Sequence, residues 1–587
     1  MIKSAIWGLL ASVAVSAPAL AQAQSDRLNL SYPPNEHKTT AAQIFLIGST
    51  PTAGKVTVNG QPIERSNLGH FAPSFPLDIG RNSFRIQYEN AAGNFEVVQI
   101  FVDRLALNNS TPATGLETLY PAVDIARQSG ELVCFQAKAP ENAQEISVTL
   151  ANRTIPLQPQ STVDLPPNSA VLTLTNDALV SQSNGLFQGC GAYSQTGILG
   201  KPVYRMVQNG AVVTKASEGS VEILDPQNIQ AIAVSAEAGV ARTGASTNFS
   251  RLTPLPKGTR AGITGKEGDW LRLDYGAWIK TAETVALNNA LPTSSIIRSV
   301  RSQTTADSTE VIFPLQTPVP VTVEQNDDTF TLILHNTTAQ TDTIYLDQSP
   351  VIRRLDWSQV NPEMVRYDFR LKQAQQWGYE LRYENTNLIL SLRHPPKLSG
   401  NTLQGATILL DPGHGGSESG SVGPTGYPEK AVNLVVSKKI QQQLEAKGAT
   451  VNLTREQDVD VSLGRRQELI REQKPTLALS VHYNALPDQG DALNTAGIGM
   501  FWYNAQAHDL AQFLHDELTQ NLGRESYGVF WNNLALTRPT EAPAILLELG
   551  FMINPDEFEW ITDPQAQDQL AAAIATALET WLQDKAN

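Results

Sequence analysis

The pattern of apolar residues in this chain changes character once, at "HPPKLSGNTLQG", residues 394 to 405. Upstream, apolar residues alternate in short runs broken by turn signals, the period of half-buried strands. Downstream, the strand-like runs "ATILLD", "TVNLTRE", "TLALSVH" and "PAILLELG" alternate with the helical runs "KAVNLVVSKKIQQQLEAKG", "AHDLAQFLHDELTQNLG" and "QLAAAIATALETWLQ". The two patterns need different cores. The fold class expected is therefore multidomain: several small all-β domains followed by a C-terminal α/β domain with a central sheet flanked by helices. The chain's 587 residues agree, because at about 150 residues per domain they make roughly four units.

The first residues read as an export signal, residues 1 to 23. Lys3 precedes the apolar stretch "AIWGLLASVAVSA", and small residues follow through Ala19, Ala21 and Ala23, so a mature chain would begin near Gln22 or Gln24. No later apolar run is long enough for a membrane span, so the mature chain is expected to lack a transmembrane segment and to work in the periplasm or cell wall. The formal charge of -15 excludes an ordinary nucleic-acid binder, which needs a basic face. Cys134 and Cys190 are the two cysteines. In an oxidising compartment they can close one disulfide or remain two buried thiols, and spacing does not decide between them.

Residues 28 to 105 hold "KVTVNGQPI", "NSFRIQYEN" and "FEVVQIFVD", with Asn59-Gly60 as a hairpin turn, and are expected to form a small β-sandwich. A weaker pattern that includes "AVLTLTN" marks a second β domain over 117 to 227. Between 229 and 287, Gly258, Gly265 and Gly268 punctuate a segment carrying Trp270, Leu271, Leu273 and Trp278, which resembles a bacterial SH3-like domain. The strands of 293 to 396, "STEVIFPLQTPVPVTVEQ", "DTFTLILHN", "MVRYDFRL" and "NLILSLRH", resemble an AMIN domain. The resemblances imply wall targeting or localisation, with cell-wall or envelope proteins as potential partners of the β domains; a spacer role is the alternative.

In the C-terminal domain three ionisable residues close apolar runs: His414 in "TILLDPGHGGSESG", His482 in "LALSVHYNA" and Glu548 in "PAILLELGF". Ligands of open α/β sheets collect at the carboxyl ends of the strands. A carboxylate there is costly unless paired, coordinated or protonated. Glu429, where the helix "EKAVNL" starts, either faces those strand ends or simply favours the positive helix terminus. Two histidines and a carboxylate make a three-ligand zinc site with an open fourth position, and a further carboxylate can act as base. His508 and His515 lie together on the polar side of their helix, opposite Leu510, Phe513, Leu514 and Leu518, and are expected to be solvated. His37, His70, His335 and His394 fall in the β domains, as surface or core residues. The domain lacks HExxH, a GxSxG elbow and cysteine, which removes the usual context of helix-borne zinc peptidases and of serine or cysteine nucleophiles.

The blocks "LLDPGHGGSESGSVG", "GYPEKAVNL", "LSVHYNA" and "LTRPTEAPAILLELGFMIN" occur in the order found in zinc-dependent N-acetylmuramoyl-L-alanine amidases, which residues 405 to 587 resemble. The resemblance implies a peptidoglycan substrate, Zn2+ held by His414, Glu429 and His482, and Glu548 as the catalytic glutamate. Asn484 and Arg538 could orient ligands or substrate carboxylates, or be structural. Some amidases of this kind carry an occluding helix before the last block. Here 484 to 548 holds one helical run, 507 to 522, amphipathic enough to belong to the body of the domain. Two other readings stay open: a carboxypeptidase-like or aminopeptidase-like zinc enzyme, and a non-catalytic wall-binding protein.

Overall fold

The computed structural model describes residues 26–106, 115–140, 143–160, 162–164, 179–181, 185–287 and 293–586. The expected export signal and "AVLTLTN" lie outside the described residues. Among those residues, no helix is long and apolar enough to cross a membrane.

The part before residue 394 is built of strands. A five-stranded sheet and two smaller ones occupy the first region, where Gly80–Glu89 and Phe95–Arg104 pair antiparallel over their whole length. In the second region Cys134 and Cys190 are register partners on adjacent antiparallel strands and are joined in a disulfide. The strand Ile125–Gln128 pairs both with Val221–Leu224 and with Arg260–Glu267, so one sheet runs across the junction at 227 to 229. The fourth region has a five-stranded and a four-stranded sheet sharing one apolar cluster, with Phe313, Phe330, Tyr367 and Phe369 at its centre.

The elements of the C-terminal domain are numbered from its own start. They are β1 (Thr407–Pro412), α1 (Glu429–Ala446), β2 (Thr450–Leu453), α2 (Leu463–Gln473), β3 (Leu477–Asn484), β4 (Ile498–Trp502), α3 (His508–Leu522), β5 (Ser526–Trp531), β6 (Ala544–Phe551), α4 (Pro555–Thr562) and α5 (Pro564–Ala586). The sheet order is β2-β1-β3-β6-β4-β5. The first four strands of that order are parallel, and β4 and β5 run the other way. Burial on both faces explains the near-continuous apolar runs. Ile408, Leu410, Leu479, Val481, Ile545 and Leu547 face the cluster made with α1, α3 and α5, whereas Leu409, Ala478 and Ala544 pack with Ile470 of α2 on the other face. Helix α2 was not expected from the sequence. Its buried residues are only Arg466 and Ile470, so it has almost no apolar stripe to read.

The first region reaches across the chain to the carboxyl ends of the parallel strands. Phe45, Ile47 and Ala72 share an apolar cluster with Ala492, Phe551 and Ile553. Tyr32 and His37 both bond the Asp488 carboxylate, the latter at 2.9 Å. Asn29 donates to the Pro424 carbonyl (3.2 Å), and the Leu68 amide donates to Glu559 (2.7 Å).

Candidate metal centre

Three of the predicted residues are brought together. One donor atom each from His414, Glu429 and His482 lies within 4.8 Å of the other two. Different elements place them: His414 sits in the turn after β1, Glu429 is the first residue of α1, and His482 lies in β3. His414 takes a left-handed backbone (φ 58°), which turns the chain sharply out of the sheet. Its ring meets that of His482 edge to face, with centroids 4.9 Å apart.

Glu429 is the hub. His482 Nδ1 stands 3.0 Å from Oε1 and His414 Nε2 stands 3.2 Å from Oε2. The carboxylate also accepts from the Ser421 amide (2.8 Å), the Asn433 side-chain amide (3.0 Å) and the Tyr483 amide (3.2 Å). It is 3 % exposed, a burial that by itself raises a carboxyl pKa. The hydrogen bonds and charges of the two imidazoles outweigh it and hold Glu429 well below the usual range. For His414, burial works against protonation, but Glu429 and Glu418 hold the ring above its ordinary value.

Glu548 is the register partner of His482 on β6, and Gly499 of β4 flanks it on the other side. The residue is partly exposed, yet its Oε2 is shut from solvent and has no hydrogen-bond partner. Burial and, secondarily, the Glu429 charge push its carboxyl well above the ordinary range. His482 and Glu548 lie inside β3 and β6 rather than at their ends, since the strands continue to Asn484 and Phe551. The donor set, two imidazole nitrogens and one carboxylate oxygen, suits a divalent cation. An orphaned carboxylate oxygen beside it fits the same reading, because a buried acceptor without a donor is costly on its own.

The glycines of the turn make this packing possible. A Cβ on Gly413 would lie 2.6 Å from His482 Nδ1 and nearer still to Cε1 and Nε2, and one on Gly420 would press on Glu429 and on His414 Cδ2. Two buried arginines, Arg455 and Arg466, then bind the turn by its carbonyls. Arg455 donates to Pro412 O and Gly413 O, both at 2.9 Å, and Arg466 donates to Pro412 O (2.9 Å) and His414 O (2.7 Å). Asp411 compensates Arg466 and also accepts from Ser480 Oγ (2.6 Å). Asn433 bridges Gly413 O and Glu429. Sequence reasoning did not reach these residues, since an arginine on a polar helix or after a strand reads as solvated.

The remaining predicted residues fall elsewhere. Asn484 follows His482 at the strand end, where its Oδ1 accepts from the Ala485 amide (2.8 Å) and its buried Nδ2 has no partner. Arg538 lies before β6, toward the opposite end of the sheet, and donates to Asn533 O at 2.9 Å. His508 is exposed and stacks on Trp502 (4.3 Å). His515 is not solvated. It is 6 % exposed because β5 passes beside α3, and Ser526 Oγ lies 2.9 Å from its Nε2. Between 484 and 548 the described residues contain one α-helix, α3, packed on β4 and α5.

Residues 408–580 match the family model described as N-acetylmuramoyl-L-alanine amidase, a span that includes all four site residues. Over 183 residues, 31% of this chain, the sequence is 37% identical to a probable cell wall amidase, LytH, of Staphylococcus aureus. The chain spans 60% of the length of that curated relative. Among solved structures, an N-acetylmuramoyl-L-alanine amidase from Clostridium difficile 630 is 29% identical and aligns over 32% of this chain and 100% of its own, with a TM-score of 0.30. AmiC2 of Nostoc punctiforme, also named an N-acetylmuramoyl-L-alanine amidase, is 29% identical over 32% of this chain and 99% of its own, with a TM-score of 0.29.

Proposed function

We propose that the chain is a zinc-dependent peptidoglycan hydrolase that cleaves the amide between N-acetylmuramic acid and the L-alanine of the stem peptide. The observation that carries this reading is the convergence of His414, Glu429 and His482 within 4.8 Å, with the unpartnered carboxylate oxygen of Glu548 on the neighbouring strand. The family match over 408–580 supplies the bond. His414, Glu429 and His482 would hold Zn2+, and the three-ligand set leaves a position open for solvent or substrate. When bound there, the ion supplies Lewis acidity, which polarises the scissile carbonyl and acidifies the attacking water.

The chain's own groups do the rest. Glu548 takes a proton from the water as oxygen adds to the lactyl carbonyl carbon, and gives it to the alanine nitrogen as the C–N bond breaks. The products are a glycan with a free lactyl carboxylate and a peptide with a free amino terminus. Asn433, the Ser421 amide and the Tyr483 amide keep the Glu429 carboxylate in one orientation, and Arg466 fixes the His414 backbone. Such supporting bonds orient ligands and tune them.

The β regions act in wall targeting. Residues 28 to 105 and 293 to 396 are read as sandwich-type modules, the latter AMIN-like, and 229 to 287 as SH3-like, working outside the cytoplasm, in the periplasm or wall. The shared apolar cluster between the two sheets of 293 to 396 supports the sandwich reading. Incubation of the full chain with murein and zinc tests the activity, with new alanine amino termini as the readout. A folded, zinc-loaded chain that releases none would overturn the reading.

A further inference from the structure

A cavity of about 480 Å³ lies where three regions of the chain meet, and its lining includes Arg251, Thr253, Tyr503, Trp531 and Arg538. That volume is within the range of small-molecule sites, roughly 300 to 1,000 Å³. It is not part of the metal centre. Strand β4 runs antiparallel to β6, with Gly499 opposite Glu548 and Phe501 opposite Leu546, so Trp502 and Tyr503 lie toward the amino end of β6. Four residues of strand separate that end from Glu548, about 13 Å at 3.3 Å per residue.

The walls are held in place by two bonds between regions and one within the C-terminal domain. The Val323 amide donates to Thr253 Oγ1 (2.9 Å), the Tyr379 amide to Thr540 O (2.7 Å), and the Asn504 side chain to Arg538 O (2.9 Å). Among the described residues that line the cavity none is Asp or Glu. Its charge is one-sided: Arg251 and Arg538 both line it, and Arg242, 7 % exposed, stands behind as the antiparallel bridge partner of Arg251, with its Nε unpartnered. Burial, then the charges of Arg251 and Arg242, lower Arg538 to about 10. Glu283 acts on Arg242, which stands behind the cavity. Like charges gathered in a cleft are relieved by an anion, and guanidinium groups match a carboxylate in a two-pronged geometry. Beside them Trp531, 63% exposed, rests on Tyr503 with ring centroids 5.3 Å apart, and its indole N–H donates to Tyr503 O at 2.9 Å. An indole fixed in that way offers one broad apolar surface to a ring.

We infer that this cavity is a second saccharide site that takes a pyranose bearing a free carboxylate, with the sugar face on Trp531 and the carboxylate between Arg251 and Arg538. The inference rests on the amidase reading in one respect. In intact murein the lactyl group of muramic acid is an amide, and only hydrolysis of that amide gives the glycan a carboxylate. The site therefore holds product glycan rather than substrate, and keeps the chain on strands it has begun to strip.

The test is calorimetric titration of the full-length chain with four probes: a muramic-acid-containing disaccharide with its lactyl carboxylate free, the neutral N,N'-diacetylchitobiose, the free stem tetrapeptide, and inorganic phosphate. The disaccharide acid is expected to bind at least tenfold tighter than each of the others. R251A and W531A should each weaken it at least tenfold, which also separates this cavity from the metal centre. Equal or tighter binding of chitobiose, peptide or phosphate, or wild-type affinity in both folded variants, would overturn the inference. Alanine release by the wild-type chain is scored separately. Cleavage without disaccharide binding removes this site alone, whereas binding without cleavage removes the amidase reading.

Discussion

Replacing Gly413 by alanine should cost the site one of its three candidate ligands while leaving the fold intact. Gly413 does not have a positive φ, so alanine meets no backbone strain and the effect comes from contact alone. Its Cβ would lie over the His482 ring, 2.6 Å from Nδ1 and nearer to two other ring atoms. Ordinary carbon contacts are about 3.5 Å or more, so the ring must retreat by about 1 Å. Metal–ligand distances tolerate only about ±0.2 Å. Zinc affinity is therefore expected to fall by at least the 10- to 100-fold typical of lost supporting interactions, and turnover by about 100-fold or more. The strain of the extra methyl is about 1 to 3 kcal/mol. This difference should appear in chelator, where wild type and variant both lack metal. In zinc at one hundred times the wild-type Kd the gap should widen by up to about 2.7 kcal/mol, because only the wild type gains the full binding energy. Zinc competition against a chromophoric chelator, melting with and without chelator, and alanine release from murein measure the three quantities. If G413A binds zinc and turns over like the wild type, the packing of His482 against that turn is not what positions the ligand.

Glu548→Gln keeps the shape of the side chain and removes its base, so zinc content should be retained while alanine release falls by about 10²- to 10⁴-fold; normal cleavage would dismiss Glu548 from its role. Arg466→Leu leaves Asp411, 3% exposed, without its cation and should cost about 3 to 5 kcal/mol in denaturant unfolding; a loss under 1 kcal/mol would show that the pair does not hold the turn. Ile47→Asp places a charge in the cluster with Phe551 and Ile553 and should raise amide exchange in residues 484 to 495; unchanged exchange would mean the first region is not docked there. His335 is lowered to about 4 by burial, so an unfolded chain takes up its proton first as pH drops. Stability from this residue is whole above about 6.5, is lost as pH falls toward 4, and amounts to roughly 2 kcal/mol once its partial exposure is discounted. His335→Gln should flatten the melting temperature between pH 7 and 5 relative to wild type, and identical slopes would refute this.

Three of the four candidate site residues were legible because each stands against an apolar run in the sequence. An ionisable residue set against a buried run is costly and therefore informative, and His414 just after β1, and His482 and Glu548 inside β3 and β6, all have that setting. Glu429 was ambiguous, since a glutamate at a helix start needs no ligand to explain it; only the fold shows its side chain turned into the site, with both imidazoles on it. The supporting arginines were illegible for the converse reason. Arg466 sits on a helix whose polar sequence implies solvent, and its burial depends on β1 and the turn after it, far away in the chain. His515 was misplaced by the same logic: helical phase describes one helix alone, and strand β5 covers the face that phase leaves open.

What patterning could least disclose is how the regions stand against one another. The first region and the C-terminal domain are separated by the rest of the chain, yet Tyr32 and His37 share the Asp488 carboxylate, and Asn29 holds the 423 to 428 turn just ahead of Glu429. Asp488 lies in the loop after β3, and Phe551 and Ile553 lie at the end of β6, so every one of these contacts falls at the carboxyl end of the parallel strands, where the candidate metal ligands are. The Arg251 cavity lies at the other end, closed by the third and fourth regions. The C-terminal sheet is thus held at both ends by β-structure: the first region packs at the carboxyl ends of its parallel strands and the third and fourth regions at the other end.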